Sequence, residues 1–262
     1  MDQPPPVLYH FQDGIAHITF NRPSVFNSFN REMALATQAA LDKASEDEQV
    51  RAIVLTGEGK AFCAGQDLKE VTDEEINPGF KVLLEEHYTP IVSRIRDIRK
   101  PILAAVNGVA AGAGANIALA CDLVIAHEGA SFIQAFSKIG LIPDSGGTFF
   151  LPRIIGFQRA TALAMLGDKV SSSDAETMGM IYKAAPADEY EAMVMKTARK
   201  LAKMPTRALG LIKAAFNASM HNDLSEQLKL ETELQIEASE TEDYQEGVTA
   251  FIEKRKPSYK GK

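Results

Sequence analysis

Two glycine-rich bends hold the residues of this chain best suited to chemistry. They are Gly57-Glu-Gly-Lys-Ala-Phe-Cys-Ala-Gly-Gln-Asp-Leu and Asn107-Gly-Val-Ala-Ala-Gly-Ala-Gly-Ala-Asn-Ile. Small residues leave backbone N–H groups uncovered, and two convergent amides can hold a developing oxyanion, each contributing a few kcal/mol to a transition state. The same glycines would equally serve tight turns and close helix packing. A third candidate is Asp144 in Ile142-Pro-Asp-Ser-Gly-Gly-Thr. A carboxylate there can carry a proton, or it can cap the helix that follows. Capping would lower its pKa, whereas an apolar pocket would raise it.

Other chemistries fail on spacing. Gly59-Lys60 has no glycine at the upstream P-loop position and is followed by Ala61 rather than Ser or Thr. Neither bend completes a dinucleotide fingerprint, since Ile117 and Phe62 stand where the third glycine is required. Pro143-Asp-Ser-Gly-Gly lacks the leading glycine of a nucleophile elbow. His10, His17, His87, His127 and His221 show no metal-ligand spacing, and Cys63 and Cys121 form no ligand pair, so neither a metal nor a triad is expected.

The elements that must position the bends follow from periodicity. Val7–Phe11 and Ile15–Phe20 flank Asp13-Gly14 and read as a hairpin. Asn30 is placed to cap a helix over 31–44. Arg51-Ala-Ile-Val-Leu-Thr, Pro101-Ile-Leu-Ala-Ala-Val and Asp122-Leu-Val-Ile-Ala read as strands buried on both faces, and 79–99 as helical. The first two of these strands each run into a glycine-rich bend, a degenerate repeat that predicts a spiral of stacked ββα units rather than one doubly wound sheet. Beyond about residue 185 the strand signals stop, and 187–204, 206–220, 223–238 and 243–256 read as helices. Their apolar surface exceeds what they can bury among themselves, which predicts packing on the first part or on another subunit. The expected division is a core over 1–195 and a helical trimerisation or cap region over 196–262.

Composition bounds the function. The net charge of −7 disfavours general nucleic-acid binding, and 45% apolar residues suffice for a large core. No apolar run approaches the ~18 residues of a membrane span, and two cysteines in apolar runs fit a reducing compartment, so a soluble cytoplasmic protein is expected. The carboxyl end, Glu253-Lys-Arg-Lys-Pro-Ser-Tyr-Lys-Gly-Lys, carries five basic residues, which serve either as a solvated tail or as an anion contact.

Five stretches carry a resemblance: Ala61-Phe-Cys-Ala-Gly-Gln-Asp-Leu, the second bend, Cys121-Asp-Leu-Val-Ile-Ala, Ile142-Pro-Asp-Ser-Gly-Gly-Thr and Glu246-Gly-Val-Thr-Ala-Phe-Ile-Glu-Lys-Arg. In this order they resemble the enoyl-CoA hydratase/isomerase (crotonase) superfamily over nearly the whole chain. The resemblance implies an α/β spiral with a helical carboxyl-terminal domain, trimers or dimers of trimers, and an acyl-coenzyme A thioester as substrate, with no separate cofactor. It implies that the Gln66 and Ala113 amides hold the thioester oxygen. It also implies that Ala64 contacts adenine, that Lys254 and Phe251 approach the nucleotide end from the same or a neighbouring subunit, and that Lys69 screens phosphate. His87, Tyr88 and Phe136 are candidate walls of an aromatic-sized acyl pocket or, at helical spacing, ordinary core positions, and Asn116 is a further pocket candidate.

Hydratases of this kind use two glutamates, and the matching positions here are Asn116 and Phe136. Adding water across a double bond wants paired carboxylates, so hydration is expected to be weak. Asp144 occupies a position where some isomerases of the family carry their acid/base, and a single carboxylate suffices to move a proton along a thioester enolate. Within the superfamily the resemblance is closest to the epoxyphenylacetyl-CoA isomerases of phenylacetate degradation. The alternatives are a Δ3,Δ2-enoyl-CoA isomerase or hydratase of fatty-acid oxidation, and, from another class, a non-catalytic acyl-CoA binding subunit.

Overall fold

The computed structural model describes residues 4–262. Ten strands form two sheets: β1 (Val7–Gln12), β2 (Ile15–Phe20), β3 (Ala52–Gly57), β5 (Ile102–Val106), β7 (Leu123–His127) and β10 (Lys183–Ala185) in one, with β4 (Ala61–Cys63), β6 (Val109–Ala111), β8 (Ser131–Ile133) and β9 (Lys169–Ser171) in the other. The pairs β3–β4, β5–β6 and β7–β8 each place one strand in either sheet, which is the repeating unit of a spiral. The β1–β2 hairpin turns at Asp13 and Gly14, both at positive φ. Pairing from β2 through β3, β5 and β7 to β10 is parallel.

Among the described residues twelve α-helices connect and cover the sheets. Before β9 come α1 (Arg31–Glu46), α2 (Leu68–Thr72), α3 (Phe80–Val82), α4 (Thr89–Asp97), α5 (Ala113–Ala120), α6 (Gly147–Ile155) and α7 (Phe157–Leu166). Then follow α8 (Ser172–Thr177), α9 (Tyr190–Ala202), α10 (Thr206–Ser219), α11 (Leu224–Ser239) and α12 (Glu242–Ile252). Asn30 caps α1 by accepting from the Met33 N–H at 3.0 Å. A π-turn over Leu83–Tyr88 joins α3 to α4, so the helix expected over 79–99 contains a wider turn.

Side chains of a strand alternate between faces, and the core divides accordingly. Ile53, Leu55, Ile102, Ala104, Val106, Val124 and Ala126 point into the main core, while Ala52, Val54, Leu103, Ala105 and Ile125 point to the other face. That second face is covered by Tyr190, Val194, Ala198 and Ala202 of α9, spaced one helical turn apart. Residue 195, where the sequence suggests a division, therefore lies within α9, a helix packed on the sheet. Beyond it, Lys213 of α10 donates to Asp122 at 2.9 Å, and Asp122 also accepts from the Ile102 N–H at 2.8 Å, tying the helical region to the sheet. Among the described residues no helix is long and apolar enough to cross a membrane.

Candidate active site

The two bends lie against each other. A Cβ on Gly65 would stand 3.0 Å from the Ala111 carbonyl oxygen and 3.6 Å from the Ala113 nitrogen, and one on Gly114 would collide with the Cys63 carbonyl and stand 2.7 Å from its Sγ. Only glycine allows this approach, and Gly65 also has φ +94°.

Each bend presents one amide. Ala113 opens α5, where the first N–H groups have no partner within the helix, and its predecessor Gly112 sits at φ 53° and ψ −128°. The Gln66 amide is aimed by its own peptide plane. Phe29 donates its N–H to the Gly65 carbonyl at 2.7 Å, and Asp67 donates to the Phe29 carbonyl at 2.8 Å, forming a parallel bridge. A trans peptide sets C=O and N–H on opposite sides, so with the Gly65 oxygen turned to Phe29 the Gln66 N–H points away from it. Among the described residues neither the Gln66 nor the Ala113 N–H has a backbone acceptor.

Asp144 is tied to the same place. Asn116 stands one turn after Ala113 on α5 and donates its side-chain amide to the Asp144 carbonyl at 2.8 Å, while Gln134 donates to the Asn116 Oδ1 at 2.8 Å. The Gly147 N–H donates to the same Asp144 carbonyl at 2.8 Å. The Asp144 side chain does not cap α6, whose first residue is preceded by Gly146 with no side-chain cap. Its carboxylate instead accepts from the Ser145 hydroxyl at 2.9 Å. Half-burial raises its pKa above the ordinary value of 3.8, outweighing the opposing hydrogen bond from Ser145.

The remaining expected site residues divide. Phe136 is buried with its ring tip 3.7 Å from a Cβ built on Gly112, so it lies over the second bend as a wall would. Tyr88 is 2% exposed and donates to the Gln66 side-chain oxygen at 2.6 Å, making it a support of the first bend rather than a wall. His87 is enclosed on all sides, 0% exposed, with neither ring nitrogen partnered, and it cannot line an open pocket. Asn116 is buried, and its amide is engaged on both sides by Asp144 and Gln134.

Ala64 donates its N–H to the Phe26 carbonyl at 3.0 Å at the head of the first bend, and Lys69 is exposed on the adjoining α2. Phe251 and Lys254 are not joined to that bend by any hydrogen bond or ion pair among the described residues, and Phe251 is 86% exposed. Nor are the five basic residues of the tail all available. Arg255 pairs with Glu246 and Glu253, Lys260 with Glu242 and Lys262 with Glu48, while Lys254 and Lys256 have no ion pair among the described residues. Both cysteines are buried and reduced, their thiols pushed up to about 12 by burial. No cluster of three or more His, Cys, Asp or Glu side chains suited to a metal occurs among the described residues.

Sequence reasoning proposed the Gln66 and Ala113 amides and Asp144, and the structure shows, among the described residues, both amides without a backbone acceptor and Asp144 joined to α5 through Asn116. Sequence reasoning did not reach the side-chain partners of Gln66 and Asn116, for which the only signal was that both positions carry amide side chains on bends otherwise built of small residues.

Comparison with known proteins places this geometry in context. The profile described as "Enoyl-CoA hydratase/isomerase" matches residues 10–262. A Rhodobacter capsulatus protein named "Probable enoyl-CoA hydratase" is 45% identical over 98% of both chains. The Escherichia coli K12 protein named 1,2-epoxyphenylacetyl-CoA isomerase is 44% identical, again over 98% of both. The solved enoyl-CoA hydratase of Bacillus anthracis superposes with a TM-score of 0.91 at 32% identity, covering 98% of this chain and 100% of that one.

Proposed function

We propose, from the premise that the chain belongs to the enoyl-CoA hydratase/isomerase family and has the crotonase fold, that it is an acyl-CoA isomerase working through a thioester enolate. The observation that carries this reading is Asp144, a half-buried carboxylate of raised pKa whose backbone is fastened by Asn116 one helical turn from Ala113. The Gln66 and Ala113 amides would hold the thioester oxygen as charge develops on it. Asp144 would remove the proton from the carbon alpha to the thioester and return it further along the conjugated system. No atom is gained or lost and no cofactor is required, since coenzyme A is part of the substrate.

Hydration is disfavoured by the same site. The two positions at which hydratases resembling this chain carry glutamates hold an amide already engaged on both sides and a phenylalanine ring over the bend.

The substrate favoured is 1,2-epoxyphenylacetyl-CoA, on the likeness to the E. coli isomerase. The arene epoxide opens to its seven-membered oxepin tautomer, and the proton moves from the alpha carbon to a ring carbon. Purified protein should turn over this thioester and 3-enoyl-CoA, and should hydrate crotonyl-CoA poorly. Turnover of aliphatic substrates alone would overturn the aromatic assignment, and robust hydration would overturn the isomerase assignment.

The coenzyme would be held by Ala64 at the adenine and by Lys69, Phe251 and Lys254 towards the phosphates. The last two stand on α12 and its end, apart from the first bend, which supports a site completed by a neighbouring copy in a trimer or dimer of trimers.

A further inference from the structure

The Gln66 peptide needs support from outside the backbone. It follows Gly65, which has no Cβ and sits at φ +94°, so concerted rotation about the Gly65 ψ and Gln66 φ angles would flip the peptide and turn its N–H out of the cleft. The bridge to Phe29 resists that flip from one side. The side chain of Gln66 is gripped from the other. Its Oε1 accepts from the Tyr88 hydroxyl at 2.6 Å, and its Nε2 donates to the Glu70 Oε2 at 2.7 Å.

Both partners are themselves fixed. Glu70 is buried, and its second oxygen accepts the Arg31 N–H at the start of α1 at 2.7 Å, satisfying one of that helix's orphan donors. Tyr88 ends the π-turn, a wider turn of a kind frequent at functional sites. Its ring meets Phe29 edge-on at 5.9 Å, and Phe29 is the residue that holds the Gly65 carbonyl. Tyr88 thus touches both restraints on the same peptide. Burial, together with the negative charges of Asp67, Glu70 and Asp144, keeps its phenol protonated and therefore a donor throughout the working range.

We propose that Tyr88 and Glu70 form a clamp on the Gln66 side chain that holds the first oxyanion amide in its productive direction, with Tyr88 and the Gln66 side chain as positioning residues. This rests on the enolate mechanism above. A clamp of this kind acts on the transition state, because the ground-state thioester carbonyl carries little of the charge the amide must meet.

The test compares wild type, Tyr88→Phe, Gln66→Met and the double variant. The readouts are isomerisation of 3-enoyl-CoA, alpha-proton exchange of butyryl-CoA in D2O by NMR, and the Kd of butyryl-CoA by calorimetry, with melting temperature as the check on folding. Each single variant should lose about tenfold in kcat and exchange rate, less than the 10²–10³ lost when a donor is removed outright. Kd should stay within about twofold, and the double variant should be no slower than the worse single one, as expected of two members of one unit. Folded single variants with wild-type kcat, losses that appear in Kd instead, or losses that multiply would each overturn the clamp. Gln66→Met keeps the test open should Tyr88→Phe fold poorly, since Gln66 is only half-buried. A wild-type protein that neither exchanges nor isomerises any thioester removes the enolate reading itself, and the clamp with it.

Discussion

At the scale of single residues, the half-buried Asp144 and the fully buried His87 are two titratable groups with opposite consequences. Under the proposed function Asp144 would act as a base only when ionised, and burial raises its pKa, so activity should fall on acidification at a pH above the ordinary carboxylate value of 3.8. A pH profile of kcat/KM checks this. Asp144→Asn should abolish turnover by about 10³-fold or more and leave acyl-CoA affinity nearly unchanged. Because the raised pKa means that folding favours the neutral form, the ionised carboxylate lowers stability above its folded pKa, and Asp144→Asn should melt higher than wild type at pH 7. For His87 the sign is reversed. Burial lowers its pKa below 6.5, with Arg31 acting in the same sense and Glu70 and Glu86 opposing. The unfolded chain then takes up a proton that the folded chain refuses, and stability falls as pH drops below about 6.5. His87→Leu removes a ring whose nitrogens have no partners and should flatten that acid limb, as melting temperatures between pH 5 and 7 would record. Asp144 was legible in the sequence as either a cap or a base, and the geometry of α6 removes the cap. The enclosure of His87 was one of two readings open in the sequence, since a histidine on an apolar helix face reads alike whether it faces a pocket or the core.

At the scale of elements, the site is the contact between two bends, and its tolerance is set by glycine. Gly114→Ala would drive a methyl into the Cys63 carbonyl and sulfur, between the strand that delivers Gln66 and the helix that delivers Ala113. Overpacking of this kind costs about 1–3 kcal/mol. Because the strain separates the two amides, the variant should lose kcat more than its loss of stability alone would predict, which kinetics alongside urea titration would show. Fully preserved kcat in a folded variant would mean that the two amides need not converge. The ββα repeat was legible because each apolar strand runs directly into a bend, and that pattern is local. The role of α9 was not. Its Tyr190, Val194, Ala198 and Ala202 stripe has the spacing of any amphipathic helix, and only the sheet face it covers distinguishes it from the helices after it. Likewise Asn116 reads as a lost glutamate in sequence, whereas in the fold its amide fastens the Asp144 loop to α5.

At the scale of the whole molecule, the last three helices present surface that one copy does not cover. Ile212, Leu228, Ile236 and Tyr244 are exposed on α10, α11 and α12 and line a groove of about 920 Å³, and Phe216 of α10 and Val248 of α12 are exposed on the same helices, Phe216 to 65%. Contiguous apolar surface of this extent marks an interaction site. The carboxyl-terminal tail holds α12 in place behind it. The Lys260 and Gly261 N–H groups donate to the Asp243 carboxylate at 2.6 and 2.7 Å, Arg255 pairs with Glu246, and Arg51, just before β3, donates to the Tyr259 carbonyl of the tail at 3.4 Å. Composition could forecast an uncovered helical face, but not a tail of basic residues turned back onto α12, because the acids of that helix that anchor it lie up to 18 positions away in sequence. With α12 so held, Phe251 and Lys254 stay displayed on the outside, where under the proposed function they would meet a coenzyme bound to another copy. The protein should therefore sediment as a trimer or hexamer. Phe216→Asp puts a charge on the apolar face without touching the bends, Asp144 or the tail. It should shift the protein towards monomer and raise KM for the acyl-CoA by about tenfold or more, with less effect on kcat. A monomeric variant with unchanged KM would place the coenzyme wholly within one subunit.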